Sequence, residues 1–435
     1  MHNLISQLLI YGDLPESSLL AGFSQGFQDA TNPALPPNLI ISNLNTQIKR
    51  LLELATTYGF DKNLWQDYLT YFIITQENPF AITCEKKGAT KGCSINLLAK
   101  ADFDIFYQLF HYDFSEIEKQ LNSKSFSIIT KYKAIPKEKG NYNYHLSQRV
   151  RTLSDALKDA QNGEDFFQLV TTFYKDYGVG QLGLNRAFRI TPTTKDLSLA
   201  TITNMENITL DDLLGYEIQK RRLVENTEAF VYGRPANNVL LHGDSGTGKS
   251  TCIKALVNTY YPQGLRMIEL YKHQFNHLSD IIGMIKQRNY RFIIYMDDLS
   301  FEEQETEYKF LKGIIEGGLE SKPENVLIYA TSNRRHLVKE THGDRKDIEI
   351  QDGVFKSDTM EEKLSLFNRF GVSIHFGKPN KREYHSIVQF LAQKSGIQMT
   401  EDKLFLEADR FEMRNGGLSG RTAQQFIQYV LGAKN

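Results

Sequence analysis

Val239-Leu240-Leu241-His242-Gly243-Asp244-Ser245-Gly246-Thr247-Gly248-Lys249-Ser250-Thr251 decides how this chain is read. The apolar run Val239 to Leu241 leads into a glycine-rich loop, and a helix pattern opens near Thr251. A strand feeding such a loop into a helix N-terminus aims several backbone N–H groups at one point, and the helix dipole adds partial positive charge there. The loop is suited to cradle a polyphosphate. Lys249 is placed to reach the terminal phosphates, and Ser250 to set its hydroxyl on a phosphate-bound Mg2+. Gly243 and Gly248 permit the close approach that a side chain would block. Gly243, Asp244, Ser245, Gly246, Thr247, Gly248, Lys249, Ser250 and Thr251 are therefore the expected nucleotide-binding loop.

Around this loop lie 435 residues, enough for two or three domains. A hydrophobic content of 41% with 24% charged residues is that of a soluble globular protein. The formal net charge of −1 offers no global attraction to nucleic acid or membrane, although a local basic patch is compatible with it. Cys84, Cys93 and Cys252 fit no common zinc spacing, and an odd count without a framework points to a reducing compartment. Met1 to Ser6 has no basic region followed by an apolar core, and no run approaches the ~18 apolar residues that span a bilayer. The expectation is a cytoplasmic protein without a membrane partner.

The first ~190 residues carry helical periodicity rich in aromatics. Leu44, Ile48, Leu51, Leu52 and Ala55 make one apolar stripe; Phe103, Phe106, Tyr107, Phe110 and Phe114 make another. Such stripes read first as a packed helical core and second as a binding surface. Phe80 to Ser94 offers strand or hairpin material with Gly88 and Gly92 as turn residues, and Lys131 to Tyr144 reads as a loop. The aromatic texture stops near Thr191, and a polar stretch runs to about Asn207, where the domain boundary is placed. Beyond it, candidate strands Val239–His242, Met267–Leu270, Phe292–Met296, Val326–Ala330 and Val372–Phe376 alternate with amphipathic helices, the pattern of a parallel sheet covered on both faces. Three helices close the chain, near Lys381–Lys394, Glu401–Phe411 and Ser419–Leu431. The expected fold class is α/β: a five-stranded parallel P-loop core over residues 205–378 and a helical lid over 379–435. A mostly α-helical domain over 1–195 precedes them.

The third candidate strand ends in Asp297-Asp298, where open α/β sheets place ligands. Asp297 is positioned to hold Mg2+ with Ser250. Asp298 is positioned to orient and deprotonate an attacking water. Paired acids can also cap a following helix; the upstream loop favours metal and water. The fourth strand ends in Thr331-Ser332-Asn333, whose amide can hold both the water and a γ-phosphate oxygen, or simply sit in a turn. Arg369 precedes the fifth strand and Arg421 opens the last helix. Either guanidinium suits charge on a transferring phosphoryl group, and either alone could be a surface ion-pair residue.

The order loop, acidic pair, Asn, Arg, helical domain with Arg resembles the AAA+ ATPases from about Asn207 to Asn435. The resemblance makes Gly243–Ser250 a Walker A motif and Asp297-Asp298 a Walker B motif. It makes Asn333 sensor 1, Arg369 an arginine finger and Arg421 sensor 2. Leu214-Gly215-Tyr216-Glu217 with Gln219-Lys220, Asp297 to Glu302, Thr331 to Leu337, and Leu364-Ser365-Leu366 running into Arg369-Phe370-Gly371 look more narrowly like the bacterial AAA+ family known as domain of unknown function 815. Tyr177-Gly178 to Phe188 looks like it too. Gly215 and Tyr216, just ahead of the core, lie where such proteins sandwich adenine. The second Walker B position is Asp298 rather than glutamate, so its carboxylate stands on the order of 1.5 Å nearer the backbone. Glu302 or Glu303 is a candidate to assist it.

The implied cofactors are ATP and Mg2+; no Asn-Lys-x-Asp guanine-reading signature is present. Three readings of function stay open. The first is a homo-oligomeric ATPase, as a ring or hexamer, that remodels an unknown protein client, with Arg369 reaching a neighbour's site. The second is a nucleic-acid-associated initiator or helicase loader, for which Asp297-Asp298 and the basic cluster Arg334, Arg335, Lys339, Arg345 and Lys346 speak, although that cluster, diluted by Glu340 and Asp344, also reads as a solvated loop. The third is a nucleotide-gated switch or scaffold with little turnover. His342 to Met360, polar and aperiodic, is expected to be a mobile loop able to face a client or pore, or equally a disordered insertion with no role.

Overall fold

The computed structural model describes residues 1–15, 17–134, 144–192, 197–203, 205–301, 311, 313, 315, 323–334, 350–351, 354–355 and 367–433. The chain divides between Asn185 and Arg186 into two compact units. That division lies ahead of the polar stretch from Thr191, because the residues just before and within that stretch join the sheet of the second unit.

The first unit is helical: α1 (His2–Ile5), α2 (Leu19–Asp29), α3 (Pro37–Tyr58), α4 (Leu64–Thr75), α5 (Pro79–Lys87) and α6 (Ser94–Phe110). α7 (Ser115–Leu121), α8 (Ser125–Thr130), α9 (Tyr144–Lys158), α10 (Gly163–Tyr177) and α11 (Gly180–Leu184) follow. The aromatic stripe of α6 is core: Phe103, Phe106 and Phe110 are buried, and Tyr11 meets Phe106 edge-on at 5.3 Å. Each buried ring of this kind stabilises by roughly 1.5–3 kcal/mol. Phe114 lies past the end of α6 and stacks on Phe126 at 4.6 Å. Asp102, also buried, accepts the backbone N–H groups of Leu9, Ile10 and Tyr11 at 2.9, 2.8 and 3.0 Å, which satisfies the carboxylate and ties the N-terminal segment down.

The hairpin expected over Phe80–Ser94 is not formed; its first half is α5. Asn78 caps that helix, its side chain accepting from Ala81 N at 2.8 Å, and Pro79 occupies the first turn. Gly88 and Gly92, with φ of 69° and 85°, turn the chain between two helices rather than two strands. Of the loop expected over Lys131–Tyr144, residues 135–143 lie outside the described residues.

The second unit carries a seven-stranded sheet in the order β2-β1-β4-β5-β6-β3-β9. Its strands are β1 (Ala187–Pro192), β2 (Leu197–Thr201), β3 (Val239–Gly243), β4 (Leu265–Glu269), β5 (Arg291–Met296), β6 (Val326–Ser332) and β9 (Val372–Phe376). β7 (Ile350–Gln351) and β8 (Val354–Phe355) form a separate antiparallel pair. The five expected strands are present and parallel, with Val239 opposite both Tyr329 and Val372. Two strands extend the expected sheet. β1 pairs parallel with β4, Ala187 opposite Met267, and β2 closes the edge antiparallel to β1. Every residue of β6 is buried, as an interior strand covered on both faces requires.

α12 (Glu217–Val231) and α13 (Lys249–Tyr260) pack on the sheet through Leu223 and Phe230 and through Ile253, Leu256 and Val257. α14 (Leu278–Ile285) follows β4. α15 (Lys381–Lys394), α16 (Glu401–Arg414) and α17 (Gly420–Gly432) form the lid around their own core of Tyr384, Val388, Leu404, Phe426 and Ile427. Asn380 and Glu383 box the start of α15, and the Ser419 side chain accepts from Thr422 N at the start of α17. No helix among the described residues is long and apolar enough to cross a membrane. Glu302, Glu303, Arg335, Lys339, Arg345, Lys346 and most of His342–Met360 lie outside the described residues.

Candidate functional site

Parallel strands β3, β5 and β6 end on one edge of the sheet, so their exit loops meet there. The loop after β3 is stitched to the exit of β9. Gly243 has φ 126°, and a Cβ on it would stand 2.2 Å from Phe376 O. Asp244 N donates to that oxygen at 2.9 Å, and Asp244 Oδ2 accepts from Lys378 N at 3.0 Å. Gly248, with φ 89°, is the N-cap of α13. The first-turn N–H groups of that helix lack intrahelical partners and face the loop's concavity.

Lys249 begins α13 and is buried. Its Nζ donates to Gly243 O at 2.9 Å, to Asp244 O at 2.6 Å and to Asn333 Oδ1 at 3.1 Å. Desolvation holds its ammonium below the ordinary value of 10.5, against the pull of Asp244, Asp298 and Asp297. Asn333 in turn donates through Nδ2 to Asp298 Oδ1 at 2.7 Å. Ser250 Oγ and Thr331 Oγ1 both donate to Asp297 Oδ1, at 2.7 and 2.6 Å. Burial pushes the Asp297 carboxyl up, but these hydrogen bonds outweigh it and hold the group below its ordinary 3.8. Asp298 has φ 50°, and its N–H donates to Thr331 Oγ1 at 2.9 Å.

A cavity of about 590 Å3 lies between this edge and the lid. Ser245, Gly246, Thr247, Gly248, Lys249, Ser250 and Thr251 line it, with Asp297, Asp298, Thr331 and Asn333 at its base. Leu213, Leu214, Gly215 and Tyr216 form another wall. Tyr216 takes a left-handed backbone, and its hydroxyl donates to Gly377 O at 2.8 Å. Arg421 enters from α17: its backbone N donates to Gly246 O at 3.2 Å and its Nη1 reaches Ser245 Oγ at 3.5 Å. Gly246 is packed against that helix, since a Cβ on it would stand 2.9 Å from Ser419 Oγ.

Gly243 and Asp244 do not line the cavity; they hold Lys249 from behind through their carbonyls. Arg369 does not line it either; it stands in the turn ahead of β9. Several lining residues escape a sequence reading. Ile387, Leu391 and Lys394 present one face of α15, and Lys394 pairs with Asp212 across the cavity's edge. Their four- and three-residue spacing is visible in the sequence, but only the placement of the lid says what they face.

Among the described residues no group of three His, Cys, Asp or Glu could hold a metal ion. Ser250 and Asp297 supply two oxygens, which suits Mg2+, an ion that takes its other ligands from phosphate and water. The Tyr295 hydroxyl, buried two residues before Asp297, stands beside Asp297, Ser250 and Thr331 and stays protonated, because burial pushes it above its ordinary 10.0.

A family model described as "Protein of unknown function (DUF815)" matches residues 184–434. The chain belongs to this family. The match to the DUF815 family spans every residue of the site and begins beside the division between the two units. Solved structures of RuvB, the Holliday junction branch migration motor of Thermotoga maritima, are similar at 16% identity with a TM-score of 0.37, over 52% of this chain and 64% of that one. Two point variants of the same motor match at 16% identity and the same coverage, with TM-scores of 0.37 and 0.36. This DUF815 family member thus spans less than two thirds of those structures' length. No curated protein matches it.

Proposed function

We propose that this DUF815 family member binds ATP with Mg2+ in the cavity and hydrolyses it at the boundary between two copies of the chain, to remodel a macromolecular client. The observation that carries the reading is the hydrogen-bond chain running from Lys249 through Asn333 to Asp298, at 3.1 and 2.7 Å. It joins the group that would hold the terminal phosphates to the group that would take a proton from water. A γ-phosphate accepting from Lys249 competes with Asn333 Oδ1 for that ammonium. Asn333 is then free to bind the phosphate oxygen and the attacking water, and Asp298 accepts the water's proton.

Ser250 and Asp297 are the residues that would hold Mg2+, which supplies charge neutralisation at the phosphates when bound. The N-terminus of α13 and the backbone of Ser245–Gly248 bind the phosphates, while Gly215 and Tyr216 flank the base. Arg421, rooted in the lid, answers to the γ-phosphate, so hydrolysis changes what holds the lid to the loop. Arg369 serves a neighbouring copy's phosphates, which makes the active form a homo-oligomer. Three free cysteines, one of them exposed, suit action in the cytoplasm.

ATP hydrolysis per chain, measured against protein concentration alongside native mass, tests the reading. The per-chain rate rises as oligomers form. A constant rate from a monomer rejects the shared site, and tight ATP binding without steady turnover at any concentration favours a nucleotide-gated switch.

A further inference from the structure

The hydroxyl of Thr331 sits between the two acids. As a donor it reaches Asp297 Oδ1 at 2.6 Å; as an acceptor it takes the Asp298 N–H at 2.9 Å. Thr331 follows Ala330, which pairs with Met296, so β-sheet register delivers this hydroxyl beside the end of β5. The residue is 2% exposed, and its own carbonyl accepts from Leu299 N at 2.7 Å, which pins the backbone that carries the hydroxyl. Asp298 is one of four non-glycine residues with positive φ among those described, a conformation that Asp visits only as a single residue with local hydrogen bonds to hold it. One oxygen atom therefore fixes the backbone of one acid and the carboxylate of the other.

We infer that Thr331 is a positioning residue for the hydrolytic site: its hydroxyl sets Asp297 toward the metal and Asp298 toward the water. This inference rests on the proposed nucleotide reading. Hydrogen-bond partners of metal ligands are typically worth about 10–100-fold in metal affinity or activity. Because Ser250 Oγ also donates to Asp297 Oδ1, loss of the Thr331 bond loosens the carboxylate rather than releasing it. Neither bond made by the Thr331 hydroxyl goes to the phosphate loop, so nucleotide affinity in the absence of metal is independent of them.

The test compares full-length wild type, Thr331→Val, which keeps the branched shape without the hydroxyl, and Thr331→Ser, which keeps the hydroxyl. Thermal unfolding with ATP is followed as Mg2+ is titrated, and steady hydrolysis is measured in parallel. For Thr331→Val the Mg2+ concentration giving half the shift rises about tenfold and kcat falls about 10–100-fold, while metal-free ATP affinity stays within about threefold. Thr331→Ser stays near wild type in all three. Thr331→Ala carries the valine expectations should the valine chain not fold. Unchanged Mg2+ dependence and kcat in Thr331→Val overturn the inference, as does a Thr331→Ser chain as impaired as the valine one. A wild type that shows no shift with ATP and Mg2+ overturns the nucleotide reading itself, and the inference with it.

Discussion

The carboxamide of Asn333 donates to Asp298 Oδ1 at 2.7 Å, so the end of β6 holds the end of β5 in place. The amide's other atom, Oδ1, accepts from Lys249 at 3.1 Å. A single neutral side chain thus spans the two charged groups on which the proposed chemistry depends, and its two ends respond to different events.

Replacing Lys249 with alanine removes three donated hydrogen bonds and the buried positive charge. ATP affinity, read by isothermal calorimetry, falls by about tenfold to a hundredfold, the worth of a charged hydrogen bond of about 1.5–3 kcal/mol. Retained affinity places the phosphates elsewhere.

Asp298→Asn keeps the size of the side chain but removes its basicity. Steady hydrolysis drops about 10²–10⁴-fold while ATP affinity stays within a few-fold of wild type, as loss of a general base requires. Undiminished turnover, measured by phosphate release, would assign water activation to another residue.

Gly243→Ala sets a Cβ against Phe376 O, which cannot move without shifting β9, and imposes φ 126° on alanine. The backbone strain alone costs about 1–3 kcal/mol, and the close contact adds to it. Differential scanning fluorimetry shows a Tm lower by several degrees. An unchanged Tm would mean that the loop lifts freely from β9.

The core of the site is legible in the sequence because strand, loop and helix N-terminus are contiguous there, and Gly243 to Ser250 states its own geometry. Asp297, Asn333 and Arg421 are legible as residues at the ends of recognisable elements. β1 and β2 are not, since their alternation is short and lies in and just ahead of a polar, threonine-rich stretch that reads as a linker. Asn78-Pro79 starts the helix over Pro79–Lys87, yet Phe80, Ile82 and Thr83 with two following glycines imitate a hairpin. Thr331, Asp212 and Lys394 act through contacts between segments far apart in the chain, which no local pattern encodes.

The Asp212 carboxyl is held down at about 2, first by the hydrogen bond from Lys394 and then by the Thr209 N–H. A depressed folded value means that this group favours the fold above its ordinary 3.8 and ceases to do so as pH falls through about 2. In Lys394→Ala the Asp212 titration, followed by carboxyl NMR, moves up toward the ordinary value. No movement would show that Thr209 alone sets it.

Mixing two variants, each expected to be inactive, tests most directly the proposal that the ATP site is shared between chains. Asp298→Asn chains keep Arg369, and Arg369→Ala chains keep Asp298, so a mixed assembly contains boundaries at which both are intact. A shared site predicts that each variant alone hydrolyses ATP at a small fraction of the wild-type rate and that mixing them restores a substantial part of it. Arg369→Ala chains hydrolysing as fast as wild type, or a mixture no more active than its components, would contradict it.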